Sequence, residues 1–333
     1  MRLSLSFAAS VLVLAAGCGG NTRPGYPDTV IAHIPVGYAP FGLCTTPSGE
    51  YVYVANRIGG ISVISTATKT VIQTVATPHG VAMPAASPDG RYVYFSMADA
   101  DQVGVLRTSD NVIVDSVAVG SNPVGVAVTP DGSRLYVANY HSGTVSVVRT
   151  SDDTVIASIP IAGNPWCVEV TPDGKYVYAS GRATDTLDVI NTSSNQVVAR
   201  VKVGDEPGDI AFSPGGEFAY VSCRLANDVA VVRTSDLQIV ARIRGCSHPT
   251  GLALLSDGTY AYLSNYEGDY VLVVQTSDNS IVDTLQFGTI TDFSTADPNR
   301  NEVYIGCPDE DEVWVIGYGA EAAQRQPPQP ALR

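Results

Sequence analysis

An all-β fold of seven four-stranded modules is predicted for this 333-residue chain by three features of its sequence. A turn signal recurs at constant spacing, each interval holds four β-rich runs, and a stray strand at the start matches the one missing at the end. The turn reads Pro88-Asp89-Gly90, Pro130-Asp131-Gly132, Pro172-Asp173-Gly174, Pro214-Gly215-Gly216, Ser256-Asp257-Gly258 and Pro298-Asn299-Arg300, each 42 residues after the last, and Pro47-Ser48-Gly49 stands 41 before the first. Proline presets φ, Asp bonds its own following backbone and Gly accepts positive φ, so these tripeptides are turns on chemical grounds alone.

The third copy shows the grammar of every module: PVGVAVT, the turn PDG, then RLYVANY, TVSVVRT and TVIASIPI. Four such runs separated by turn residues specify an antiparallel unit. A repeat of roughly 40–45 residues with four strands is one blade of a β-propeller, and seven blades fall in the usual range. The last copy supplies VYIGC (303–307) and EVWVIG (312–317) but no fourth strand, whereas TVIAHIPVG (29–37) precedes the first copy and matches TVIASIPIAG of the third. The N-terminal run 29–37 is therefore expected to be the outer strand of blade seven, closing the ring. Left unpaired, the last blade would expose a sheet edge. The propeller then spans 29–318, and the Pro/Gln-rich stretch 319–333 has too little apolar content to fold.

LYVANY, YVYVAN and AYVSC, followed by TVSVV, ISVIS and VAVVRT and then by TVIASIP and VIVDSVAVG, resemble the YVTN-family β-propeller repeat over residues 28–318. The resemblance implies the propeller fold. It does not single out an activity, because that family and its relatives include surface-layer proteins, lactonase-like enzymes and a streptogramin lyase.

Residues 1–17 read as a secretory signal: Arg2, an apolar run from Leu3 to Ala16, and small residues before Cys18. That run falls short of the roughly 20 residues needed to span a bilayer. The segment LAAGC resembles the lipobox of bacterial lipoproteins, with Ala15 where leucine is usual and Leu14 one step further out. The resemblance implies acylation of Cys18, with 18–28 as a tether and the protein exported to the periplasm or cell surface, meeting the membrane through its lipid alone. An ordinary cleavage site beside a chance cysteine is the alternative.

The formal charge is −14, and loss of Arg2 with the leader makes it −15. Affinity for phosphate backbones rests on Lys and Arg neutralising charge, so nucleic acid is excluded as a general partner. No GxSxG elbow, HExxH or P-loop is present. Five cysteines remain after Cys18, and Cys223 with Cys246 is the candidate disulfide, both being placed on one face of blade five.

Departures from the repeat locate the candidate site. In the loop leading into each innermost strand, the position after proline reads Phe41, His79, Val124, Trp166, Gly208, Thr250 and, with the proline replaced by Thr291, Asp292. The loop between second and third strands adds Arg57, Asp99, Tyr140, His141, Arg182, Arg224, Tyr266, Glu267 and Asp309 on the same face. A ligand site is expected from Phe41, Arg57, His79, Tyr140, His141, Trp166, Arg182, Arg224, His248, Glu267 and Asp292 around the channel mouth. The histidines lack zinc-site spacing, so no metal and no cofactor is expected. Three roles follow. The first is a binding or scaffold protein for a protein or small molecule; the second is an enzyme of lactonase or lyase type, with an acid or base such as His79, His248 or Glu267; the third is a purely structural envelope component.

Overall fold

The computed structural model describes residues 25–319. The expected leader, Cys18 and the tail from 320 onward lie outside the described residues. Twenty-eight strands form seven sheets of four antiparallel strands each, a seven-bladed β-propeller. Among the described residues the helical content is one 3-10 turn, Arg182–Thr184, and no helix is long and apolar enough to cross a membrane.

Blade three shows how composition makes a blade. Its strands are Pro123–Val128, Arg134–Asn139, Thr144–Arg149 and Thr154–Pro160. The two middle strands are buried almost throughout, because neighbouring blades cover both faces, whereas the fourth, at the outer edge, is mostly exposed. The turn works as the sequence predicts: Gly132 sits at φ 71°, Asp131 accepts from the Thr129 hydroxyl at 2.6 Å and from the Ser133 N–H at 3.0 Å.

The ring closes as expected. Thr29–Pro35 pairs antiparallel with Glu312–Gly317, from Thr29 opposite Gly317 to Pro35 opposite Glu312. The closure extends further back than the tether boundary at 28 implied. Tyr26 is buried against Tyr260 with ring centroids 4.9 Å apart, and the Pro27 carbonyl accepts the Tyr262 hydroxyl at 2.6 Å. Residues 26–28 thus belong to the propeller.

One tyrosine per blade fills the layer between blades: Tyr53, Tyr94, Tyr136, Tyr178, Tyr220, Tyr262 and Tyr304, none more than 3% exposed. Several of their hydroxyls reach an asparagine in the outer turn of the next blade, Tyr53 to Asn111 at 2.7 Å and Tyr220 to Asn279 at 3.2 Å. For Tyr262 that turn does not exist, and Pro27 takes its place.

The expected Cys223–Cys246 disulfide is not formed: both are free, buried thiols. They lie on opposite faces of blade five, Cys223 packed with blade four and Cys246 with blade six. Each sulfur donates to a nearby carbonyl, Val221 at 3.6 Å and Ile243 at 3.8 Å. Burial pushes both thiols up to about 12, which keeps them protonated.

Candidate binding mouth and channel

Where the innermost strands converge, neighbouring backbones nearly touch. A Cβ on Gly125 would lie 2.7 Å from the Cys167 Cα, and one on Gly251 2.7 Å from the Asp292 carbonyl oxygen. The same repeat position reads Gly42, Met83, Gly125, Cys167, Asp209, Gly251 and Phe293. Glycines therefore bring the strands together, and the four larger residues line the space that remains, a channel cavity of about 360 Å³. Above it, on the loop face, a second cavity of about 190 Å³ shares Asp209 and Phe293 with the channel.

Six predicted residues meet in this upper cavity: Phe41, Arg57, Trp166, Arg182, Arg224 and Asp292. They are joined by Gly208, Thr250 and Tyr266 from the same two loop positions. Aromatic rings build the wall. Phe41 stands edge-on to Phe293 at 4.9 Å and to Trp166 at 6.2 Å, and Tyr140 supports Trp166 from behind at 5.7 Å. Guanidinium groups lie on these rings, Arg182 3.6 Å from the Trp166 centroid and Arg57 4.7 Å from that of Phe41.

The polar groups of the mouth are incompletely paired. Arg224 holds Glu206 at 3.1 Å, but among the described residues Arg182 and Arg57 make no ion pair. Trp166 Nε1, Arg182 Nε, Thr250 Oγ1 and Asp292 Oδ1 are buried without a hydrogen-bond partner. Thr250 lies beside the Asp292 carboxylate but outside hydrogen-bonding geometry. Buried polar groups are nearly always satisfied in folded proteins, so these four atoms around one cavity leave hydrogen-bonding capacity for water or a ligand to fill. Burial pulls Arg182 below its ordinary value, with nearby Glu206 opposing. Burial likewise raises Asp292 to about 6 against the opposing pull of Arg57, the Thr250 hydroxyl and Arg224.

The histidines fall elsewhere. His79 does not line the mouth, because blade two lacks the loop pattern. The repeat position equivalent to Phe41 there is Ala82, three residues on from His79, and the innermost strand begins only at Pro84. His79 faces Asp99 at 3.4 Å on the rim, and His141 is exposed beside Tyr140. His248 holds φ 49°, its N–H bound by Asn227 at 2.8 Å, and its Nδ1 lies 2.8 Å from Glu267 Oε2. Neither His248 nor Glu267 lines the mouth.

Sequence reasoning missed Asp209 and Glu169, which line the channel. Both signals were present: Asp209 stands where three blades have glycine, and Glu169 where four blades have alanine. Asp209 accepts backbone N–H groups of Ile210 at 3.0 Å and Leu252 at 2.9 Å, and its Oδ1 lies 3.6 Å from the Cys167 sulfur. Desolvation raises Asp209 to about 7, and desolvation followed by repulsion from Asp209 raises Glu169 to about 8.

Comparison with known proteins agrees with this geometry. The model of the YNCE-like β-propeller family matches residues 128–214, and that of the cytochrome D1 haem domain matches residues 51–167. The chain is a β-propeller protein. Hydrazine synthase of Kuenenia stuttgartiensis superposes with a TM-score of 0.78 at 19% identity, over 90% of this chain and 99% of that one. The β-propeller domain of Cps50 (Swd1) from Myceliophteria thermophila also gives 0.78, at 12% identity over 88% and 100%. At these identities the likeness is one of fold. No curated protein matches the chain.

The haem named by one of these families does not fit the residues here. No histidine lines the mouth or the channel, and burial raises the Cys167 thiol well above its ordinary value, so it offers no thiolate. Among the described residues no group of three or more His, Cys, Asp or Glu side chains is arranged to hold a metal ion.

Proposed function

We propose that this protein is an exported, lipid-anchored propeller that binds a small anionic ligand with an apolar or aromatic body at the loop-face mouth. One observation carries the reading: Arg182, stacked on Trp166 at 3.6 Å, has no carboxylate partner and its Nε is buried without an acceptor. A guanidinium fixed against an aromatic face presents its remaining N–H groups as a fork that suits a carboxylate or phosphate. Arg57 adds positive charge on the same cavity, beside Arg224 with its partner Glu206, within a chain that carries −14 overall. Such a local concentration of charge in a partly desolvated recess draws an anion that the rest of the surface repels.

Export and anchoring are supported by the leader and the LAAGC segment ending at Cys18. The resemblance to YVTN repeats is compatible with a surface or envelope role. Binding is favoured over catalysis because His248 and Glu267, the pair suited to acid–base work, face each other at 2.8 Å rather than the cavity.

The test is mass spectrometry of small molecules retained after gentle purification from the native envelope. The wild-type chain retains an anionic compound, and Arg182→Ala with Trp166→Ala loses it. Equal retention by the two would refute the site. Metabolic labelling with an alkyne fatty acid tests the anchor, with labelling expected in the wild type and none in Cys18→Ser.

A further inference from the structure

Below the mouth, the channel carries two carboxyls and no cation. Apolar residues such as Leu43, Met83, Val126, Leu252 and Phe293 line it together with Asp209 and Glu169, and the surface it presents is more polar than apolar. No Lys, Arg or His lines it. Carboxylates placed side by side in a desolvated recess without a counter-charge are costly, and protons fill them in the absence of anything better. Desolvation raises both, and it raises Asp209 although the Ile210 and Leu252 N–H groups and the Cys167 thiol already bond that carboxyl.

A second observation points the same way. Asp292, only 2% exposed, turns an Oδ1 without a hydrogen-bond partner to the mouth just above, where it interacts electrostatically with Asp209. On the channel wall the Ser294 hydroxyl is also buried and unpartnered. Asp292, Asp209 and Glu169 thus form a column of acceptors that descends from the arginine-lined opening into the channel.

We propose that this channel is a second subsite that receives a primary ammonium group on an aliphatic stem, so that the ligand is amphoteric, anionic at the arginines and cationic at Asp209 and Glu169. The inference rests on the mouth reading and narrows it. An ammonium has three N–H donors, enough for the two carboxylates and a hydroxyl such as that of Ser294. A divalent ion suits the recess less, since among the described residues no group of three or more His, Cys, Asp or Glu side chains is arranged to hold one. Met83, Val126 and Phe293 among its lining residues offer contact to a methylene stem, which gains from leaving water.

Calorimetric titration of the mature chain at pH 7.5 with hexanoate, 6-aminohexanoate and hexylamine separates the two ends of the ligand. The expected result is that 6-aminohexanoate binds about tenfold or more tightly than hexanoate, a gain in keeping with one charge-assisted contact. That gain disappears in Asp209→Asn with Glu169→Gln, a variant that still binds hexanoate, whereas hexanoate binding falls in Arg182→Ala. Equal affinity for the two acids, or a gain that survives the double substitution, overturns the subsite and leaves the mouth reading intact. Binding of hexylamine that the double variant abolishes, with no binding of hexanoate, overturns the mouth reading and upholds the subsite. Failure of all three probes overturns both.

Discussion

At the scale of single residues, the channel carboxyls set a pH dependence. Glu169 moves from 4.5 to about 8 on folding, so the folded state holds its proton more tightly than the unfolded chain. Its contribution is fully present below about pH 4.5 and is lost as the pH rises through about 8. Glu169→Gln removes this loss. The variant is expected to match the wild type at pH 4 and to exceed it by on the order of 2 kcal/mol at pH 9, as read by urea denaturation at both values. A variant that stabilises equally at both would show that the carboxyl is solvated as well in the fold as outside it. Asp209 and Asp292, raised to about 7 and about 6, follow the same sign in lower windows.

Within the blade, each position of the repeat has its own physical duty, and that decides what was legible in the sequence. The turns, the four strands and the mouth residues Trp166, Arg182 and Asp292 were readable because they are either strict repeats or conspicuous departures at positions whose place is known. His79 misled because a proline and a glycine flank it as in the other blades, although the register of blade two places Ala82 at the mouth. Asp209 and Glu169 escape such a reading because they stand on innermost strands, Pro207–Phe212 and Pro165–Val170, rather than in the loops. At the neck, however, the alternation of glycine with larger side chains decides who lines the channel. Gly125→Ala tests this crowding. Its Cβ would come within 2.8 Å of the Trp166 carbonyl oxygen, and a cost of about 1–3 kcal/mol is expected in thermal or chemical unfolding. Gly143→Ala is the control, with φ 62° and nothing within 4 Å. Only the strain of the left-handed backbone remains there, about 1–2 kcal/mol. Gly125→Ala should also disturb Trp166 and hence the mouth, which Gly143→Ala leaves alone.

For the whole molecule, closure and function are one property. Phe41 and Arg57 come from blade one and Asp292 and Phe293 from blade seven, so a third of the mouth lining is assembled only if the first and last blades are neighbours. The pairing of Thr29–Pro35 with Glu312–Gly317, the burial of Tyr26 and the ion pair of Lys69 with Glu302 at 2.8 Å hold them there. Deleting residues 25–37 from the mature chain should therefore lower the melting temperature strongly and expose a sheet edge that promotes aggregation, seen in a thermal scan with light scattering. An unchanged melting point would mean that the ring does not depend on its N-terminal strand. The most direct test of the binding mouth uses its own tryptophan. The chain has two, Trp166 in the mouth and Trp314 in blade seven, so Trp314→Phe leaves Trp166 as the reporter. Titration of this variant with hexanoate is predicted to change its fluorescence saturably, and the added substitution Arg182→Ala to abolish that change. A response that stays linear, or one that survives the loss of Arg182, would contradict the account.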